Sequence, residues 1–253
     1  MKTKLLFIII MIICLLFTSC GSVNNEKDEE ESGTDEVFTV DEYDFDITLN
    51  EDFGLSPVFV KRDYDNLPEL EDDFLGLLKN CVDKAKLGTF NYEYNDTLRE
   101  QREYIKNTYP DIYAESELAN SAIAYGEGKE IDEDLEVAEI RTGISISKSG
   151  DYYYHFVDFN TCDYVNAESC NPEDLKEQVA TVTGVVIGSD IIQEALEKVE
   201  NKSRQTDAIV SVEQEITVKK DDHKDNVYIE VEGWYDEGSC YLRMQVSRSR
   251  RYL

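Results

Sequence analysis

The sequence predicts an α+β protein in which an antiparallel sheet of long strands packs on helices. Several segments alternate apolar and polar residues, which is typical of strands with one buried face. Other segments repeat apolar residues every three or four positions, which indicates helices with one buried face. The order is one strand, helices, two strands, two helices and three strands. Because the strands do not alternate singly with helices, this order favours α+β over a parallel α/β sheet.

The first part of the domain begins with a strand and continues with helices. Residues 43–49 alternate apolar and polar side chains and predict the first strand. An apolar stripe predicts a helix from Pro68, which fits the first turn because its missing N–H costs nothing there, to a stop at Gly88. Weaker helical patterns follow over residues 95–108 and 110–126.

The middle of the chain predicts a hairpin and then two helices. Residues 135–147 and 152–159 read as paired strands, with turn-forming residues between them. Asn171 can cap the first helix, which begins at the following proline, and Ser189 or Asp190 can cap the second.

The C-terminal part predicts a three-stranded antiparallel meander with one apolar face. Its three alternating segments are separated by hydrophilic turns over residues 221–226 and 236–238. The apolar positions are Val210, Val212, Ile216 and Val218, then Val227, Ile229 and Val231, then Cys240, Leu242, Met244 and Val246.

Two architectures suit this order of elements. The order is similar to that of the cone-shaped NTF2/cystatin-like folds, in which long curved strands wrap a helical layer. The alternative is a pair of tandem helix-helix-sheet units, near residues 68–159 and 172–253. Neither architecture by itself implies a function.

The first twenty residues have the pattern of a secretory signal peptide. Lys2 and Lys4 form a positive start, and an apolar run of 13 residues extends from Leu5 to Phe17. A helix of that length rises only about 20 Å, less than the ~30 Å hydrocarbon core, so we do not expect it to remain as a membrane span. Residues 17–20, Phe-Thr-Ser-Cys, resemble the lipobox of bacterial lipoproteins.

This resemblance implies a lipid-anchored exported protein. In that family the signal, here residues 1–19, is removed and the thiol of the new N-terminal cysteine, Cys20, is diacylated. Two or more acyl chains hold a protein stably in a bilayer. Residues 20–36 contain seven acidic side chains and one lysine, which predicts a disordered tether. Residues 37–253 are then the exported domain, attached to the cell membrane or outer membrane of a bacterium.

The charge of the chain excludes one class of partner. The 25 basic and 55 acidic residues give a formal net charge of −30 at pH 7. A surface this acidic repels nucleic acid and anionic lipid headgroups, so we expect no nucleic-acid partner.

The sequence predicts no catalytic, cofactor or metal site. His155 and His223 are the only histidines. We expect His155 to form local hydrogen bonds in a strand and His223 to lie in a solvated turn. No complete motif for an active serine, a phosphate loop or a metal site is present, so an enzyme is the minority interpretation.

Four cysteines follow the tether. Cys162 and Cys170 are close together in a polar segment, and their spacing predicts a local disulfide that would contribute about 2–3 kcal/mol. Cys81 and Cys240 lie on apolar faces, where they either pair across the core or act as small buried hydrophobes.

Large amphipathic rings are grouped at two places along the chain. Tyr152, Tyr153 and Tyr154 are consecutive, and Trp234 precedes Tyr235. Because aromatic rings stack on sugars and anchor protein interfaces, these five residues are the candidate ligand contacts.

Four arginines lie within the last eleven residues: Arg243, Arg248, Arg250 and Arg251. We expect them to form salt bridges with the acidic body of the domain. The alternative is a local patch that binds an anion or docks a partner.

The sequence therefore predicts a membrane-anchored lipoprotein with a non-catalytic domain that binds a protein or a glycan. One alternative is an envelope structural or assembly factor. The other is a hydrolase that uses carboxylates, which cannot be singled out among so many acidic residues.

Overall fold

The computed structural model describes residues 39–51, 71–95, 104, 106–111, 121–132, 135–147, 153–160, 165–166, 170–206, 208–236 and 238–252. The long helices among them are α1 (Glu71–Ala85), α2 (Pro172–Thr183) and α3 (Ser189–Thr206). The strands are β1 (Thr39–Glu42), β2 (Ile47–Leu49), β3 (Phe90–Asn95), β4 (Ser121–Asp132), β5 (Leu135–Ser147), β6 (Tyr153–Asn160), β7 (Val165–Asn166), β8 (Val185–Ile187), β9 (Val210–Lys219), β10 (His223–Asp236) and β11 (Ser239–Tyr252).

Most of the strands form one large sheet. Their order is β1-β9-β10-β11-β6-β5-β4-β3, and β7 pairs with β11 beside this path. All neighbours are antiparallel except β1 and β9, which are parallel, so the sheet is mixed. The α+β class is confirmed, and the expectation of a purely antiparallel sheet is wrong at this one edge. A second sheet joins β2 to β8.

Two predictions for the first half of the chain are wrong. Residues 43–49 do not form a continuous strand, because β1 precedes them and only β2 lies inside them. The segment from Ser121 to Gly126, predicted as the end of a helix, is the first half of β4. Strand β3 was not predicted. Its last residue, Asn95, is the residue at which the predicted helix over 95–108 begins.

The close contact between α1 and β4 explains the second error. A Cβ built on Gly126 would lie 2.9 Å from a methyl carbon of Leu78 and 3.0 Å from Cβ of Phe74. The helix can approach the strand this closely only because position 126 has no side chain. The apolar residues of this segment therefore belong to a strand that lies against a helix, and not to a helical stripe.

The helix predictions in the second half are confirmed with one shift. The side chain of Asn171 accepts a hydrogen bond from the Glu173 N–H, and Gly184 ends α2 with a left-handed φ of 68°. Helix α3 starts one residue earlier than a cap at Ser189 predicts and two earlier than a cap at Asp190 predicts, since the Ile192 N–H donates to the Gly188 carbonyl at 3.1 Å.

The predicted meander is confirmed, and its apolar face forms much of the core. Strands β9, β10 and β11 are neighbours, and Val231 pairs with Val212 on one side and with Met244 on the other. These positions pack in one cluster with the buried faces of the three helices. This burial of apolar side chains is the dominant stabilising term for the two layers.

Candidate binding face

The three helices pack on the same face of the sheet. Strand register places Gly126, Thr142, Val157, Arg248 and Val227 in one row across five strands. Helix α1 packs on Gly126, at one end of this row. Arg248, in the same row, donates hydrogen bonds to the Thr183 and Gly184 carbonyls at the end of α2. Helix α3 contacts the same face of β10 further along. We call the opposite side the open face, because none of the helices α1 to α3 packs on it.

One end of the open face is aromatic. Trp234 pairs with Tyr241 across the β10–β11 hairpin, and their ring centroids are 6.1 Å apart. Trp234 is 37% exposed, which is high for such a large apolar side chain. In the next row, the guanidinium of Arg243 donates to the carboxylate of Glu232. The rings therefore lie beside a paired charge, an arrangement common at protein and glycan contacts.

The other predicted contact residues are not brought to this place. Tyr235 follows Trp234 but projects to the helix side, where the guanidinium of Arg204 lies 4.8 Å from its ring centroid. Tyr153 and Tyr154 are at the opposite end of the sheet, since the second of them pairs with position 251 of β11. About 33 Å of strand separates that position from Tyr241. Tyr152 lies outside the described residues, so the contact role of the three tyrosines stays a prediction.

Half-buried carboxylates occupy the centre of the open face. The Tyr228 hydroxyl donates to Glu213 at 3.0 Å. Burial raises the pKa of Glu230, and the neighbouring charge of Glu232 adds to this effect, while Arg243 opposes it. Burial also raises the pKa of Tyr228, so its hydroxyl stays a hydrogen-bond donor. These side chains can donate and accept hydrogen bonds, but they do not form an assembled catalytic group.

A second carboxylate pair lies on β4 and β5. Burial, the hydrogen bond to Glu127 and the charge of Glu127 raise the pKa of Glu139 to about 8. Burial also raises the pKa of Glu127, but hydrogen bonds from Glu139 and Lys129 outweigh that effect, and the net pKa is lowered. The Lys129 ammonium is 3.0 Å from Glu127 and 3.9 Å from Glu139. At pH 7 Glu139 therefore keeps its proton while Glu127 has lost its own, and such a difference between two carboxyl groups is typical of sites of acid–base chemistry.

Sequence reasoning missed this pair for an identifiable reason. Glu127, Lys129 and Glu139 alternate along two paired strands, which is a signal for one polar face. The signal was lost because the segment before Glu127 was assigned to a helix.

The C-terminal arginines mostly bind the protein itself. Arg248 and Arg250 are buried, and both donate to Asp225 at 2.7 Å. The salt bridges predicted for the arginines are confirmed for these two and for Arg243. The alternative of a docking patch is wrong for Arg248 and Arg250, because both guanidinium groups lie on the helix side and are inaccessible. Arg251 is exposed.

The two histidines are both buried. Burial and the charges of Arg250 and Arg248 lower the pKa of His155 to about 4, and its Nε2 lies 3.2 Å from the Thr142 hydroxyl. The local hydrogen bond predicted for it is confirmed. The prediction of a solvated turn is wrong for His223, which is the first residue of β10 and only 5% exposed.

The three cysteines among the described residues are wholly or partly buried. Cys81 and Cys240 are buried and free, so a disulfide between them is not formed in this structure. Burial raises the pKa of Cys81 to about 12, which makes it unreactive. Cys170 is half-buried, and Cys162 lies outside the described residues. The predicted Cys162–Cys170 disulfide therefore stays a prediction.

The described residues contain neither a group of side chains placed to hold a metal ion nor a helix suited to cross a membrane. No group of three or more His, Cys, Asp or Glu side chains among them is arranged to hold a metal ion. No helix in the same part of the chain is long and apolar enough to cross a membrane. No known protein family, curated protein or solved structure matches this chain.

Proposed function

We propose that this chain is a bacterial envelope lipoprotein whose exported domain binds a protein or a glycan through the aromatic end of its open face. The anchor in this proposal is Cys20, and residues 20–36 are the tether that holds the domain away from the bilayer. The sequence carries this part of the proposal, because these residues lie outside those the structure describes.

The observation that supports a binding role is the Trp234–Tyr241 pair. Two rings 6.1 Å apart lie on the face that the helices leave open, next to the Glu232–Arg243 ion pair. An exposed tryptophan beside paired charges offers apolar area and hydrogen bonding together, which is typical of the centre of a binding surface.

The test replaces both rings at once. The variant carrying Trp234→Ala and Tyr241→Ala should lose binding to glycan arrays or cross-linking to a partner in intact cells. Tyr109→Ala is the matched control, since Tyr109 is an aromatic side chain that is 48% exposed and belongs to no strand. Unchanged binding by the double variant would remove the aromatic end from the proposal.

A single dominant partner, cross-linked in constant ratio, would instead favour the alternative of an envelope assembly factor. A long sheet with a polar open face suits either role. The two roles differ in stoichiometry and not in fold.

One observation favours a second function, a carboxylate-based hydrolase. Glu127 and Glu139 differ in protonation as a general base and a general acid must. A hydrolytic activity that copurifies with the protein and disappears in Glu139→Gln would support this function.

The finer architecture is also a proposal. We infer that the tandem arrangement agrees better with the strand order than a single NTF2/cystatin-like cone does. A helix followed by an antiparallel meander occurs twice, as α1 with the four strands β3–β6 and as α3 with the three strands β9–β11. The two meanders join edge to edge where β6 pairs antiparallel with β11.

A further inference from the structure

The outer edge of β9 is only partly covered. Strand β10 pairs along one side of β9, while on the other side β1 reaches only from Val210 to Glu213. The Tyr43 N–H donates to the Glu213 carbonyl at 3.0 Å, and the next contact, from the Phe45 N–H, goes to the side chain of Gln214 at 2.7 Å. Among the residues that the structure describes, no strand pairs with this edge beyond Glu213.

The direction of the backbone groups on this edge follows from the contacts that do form. The carbonyls of Ile209 and Glu213 both accept hydrogen bonds from the N-terminal segment, so odd-numbered residues of β9 point outward. Since strand geometry repeats every two residues, the N–H and C=O groups of Glu215, Thr217 and Lys219 also point outward. Outward groups of this kind are a template for pairing with another strand.

The side chains on this edge are complementary to themselves. If two copies of β9 pair antiparallel with Thr217 opposite Thr217, then Glu215 of each copy lies opposite Lys219 of the other. Opposite charges in directly opposed positions stabilise a strand pair, and like charges destabilise it. Charged side chains can protect an edge against pairing, but here the two charges are of opposite sign and lie at equal distances from Thr217.

The pairing also satisfies the backbone. Antiparallel pairs alternate between hydrogen-bonded and non-hydrogen-bonded positions, so a hydrogen-bonded Thr217 pair makes the Glu215–Lys219 pairs hydrogen-bonded as well. All three outward residues of each copy then find partners. Their side chains are exposed, and neither Glu215 nor Lys219 is in an ion pair within the described part of the chain.

We propose that the partner of this edge is a second copy of the same chain, paired antiparallel through Glu215 to Lys219 about a two-fold axis at Thr217. Five residues per strand give a small contact, and two strongly acidic domains repel one another. The association is therefore weak and concentration-dependent, and salt that screens the net charge strengthens it.

The experiment is disulfide trapping of the full chain in intact cells. Thr217→Cys places two thiols at the axis, where the Cα atoms of a hydrogen-bonded pair are about 5.5 Å apart, within the range of a disulfide. Mild oxidation should give a covalent dimer above the wild-type background. Asn91→Cys is the matched control, because Asn91 is an exposed residue of β3, the strand at the other edge of the sheet.

Charge exchange then tests the register. In the Thr217→Cys background, Lys219→Glu should reduce the trapped dimer at least fivefold, because it sets glutamate against glutamate. Adding Glu215→Lys restores opposite charges and should restore trapping, which also shows that the first variant is folded. Trapping no greater than that of Asn91→Cys would overturn the proposal. The proposal would also be overturned if Lys219→Glu left the amount of trapped dimer unchanged, or if adding Glu215→Lys did not restore it.

Discussion

The buried charges of Asp225, Arg248 and Arg250 are the residue-level feature with the largest consequence for stability. Three charged side chains lie together on the helix side of the sheet, each less than a tenth exposed. Burial raises the pKa of Asp225, but hydrogen bonds from Arg250 and Arg248 outweigh burial, and the net pKa is lowered. The carboxylate is therefore ionised in the folded protein and accepts hydrogen bonds from both guanidinium groups.

Replacing that carboxylate should destabilise the domain strongly. Asp225→Asn keeps the shape of the side chain but leaves two buried cations without their anion, which typically costs about 3–5 kcal/mol. Chemical denaturation at pH 7 measures the loss. Asp221→Asn, an exposed change in the nearby turn, should leave the free energy of unfolding almost unchanged. Because the pKa of Asp225 is lowered, its contribution is present at neutral pH and declines as the pH falls through that lowered value. Equal effects of the two substitutions would contradict the assignment.

The pH dependence that Glu139 gives to the stability of the domain should be opposite in direction to that of Asp225. Its pKa is raised from 4.5 to about 8, so between these values the folded state holds a proton that the unfolded state has released. The stability that this group contributes therefore falls as the pH rises through that window. Glu139→Gln imitates the protonated form at every pH. We expect it to be more stable than the wild type by ~1 kcal/mol or more at pH 8 and nearly equal to it at pH 5.

Thermal or chemical unfolding at the two pH values tests this expectation. Glu93→Gln is the control, since Glu93 pairs with Glu127 on the same face but is exposed. Parallel pH profiles for the wild type and Glu139→Gln would show that the proton is not held at position 139.

At the scale of elements, the contact between α3 and β10 depends on a glycine. A Cβ on Gly233 would lie 2.3 Å from a methyl carbon of Val199, which is too close for any side chain without movement of the helix. Gly233→Ala should therefore cost about 1–3 kcal/mol through overpacking. Gly76→Ala, in α1, has nothing within 4 Å of its added carbon and should stabilise the helix by about 0.5–1 kcal/mol. We expect thermal melting to show a lower melting temperature for Gly233→Ala and a higher one for Gly76→Ala than for the wild type. Shifts of both variants in the same direction would contradict this expectation.

The same scale shows what sequence patterns can and cannot establish. Helix α2 and the meander of β9–β11 were predictable, because a capping asparagine and strict alternation are local signals. Strand β4 was not, because Gly126 acquires its meaning only when α1 packs on it. The parallel pairing of β1 likewise depends on a partner, β9, that is far away in sequence.

The candidate site was predictable only in part for the same reason. Trp234 stood out as the single tryptophan, and the structure places it on the open face. Its neighbour Tyr241 did not stand out, since the two meet only through hairpin register. The Glu127–Glu139 pair could not be chosen among 55 acidic residues without knowing which two strands are adjacent.

For the whole molecule, the charge distribution suggests a physical role for the proposed tether, residues 20–36. The net charge of −30 opposes approach to an anionic membrane, while the acyl chains implied by the lipobox resemblance hold the chain to it. In the lipoprotein that we propose, the acidic side chains of residues 20–36 would repel one another and the membrane surface. The open face would then remain accessible to a partner from the aqueous side.

The anchor is the part of this arrangement that a single substitution tests. Cys20→Ala removes the thiol that would carry the diacyl group, so the protein should move from the detergent phase to the aqueous phase on phase separation, and mass spectrometry should no longer find an acylated N-terminus. Cys14→Ala is the matched control, because Cys14 lies inside the apolar run and would leave with the signal peptide. Detergent partitioning of Cys20→Ala that equals the wild type, together with an unmodified wild-type N-terminus, would refute lipid attachment at Cys20. A shift caused by Cys20→Ala alone would place the domain at the envelope surface, where binding through the open face can be measured.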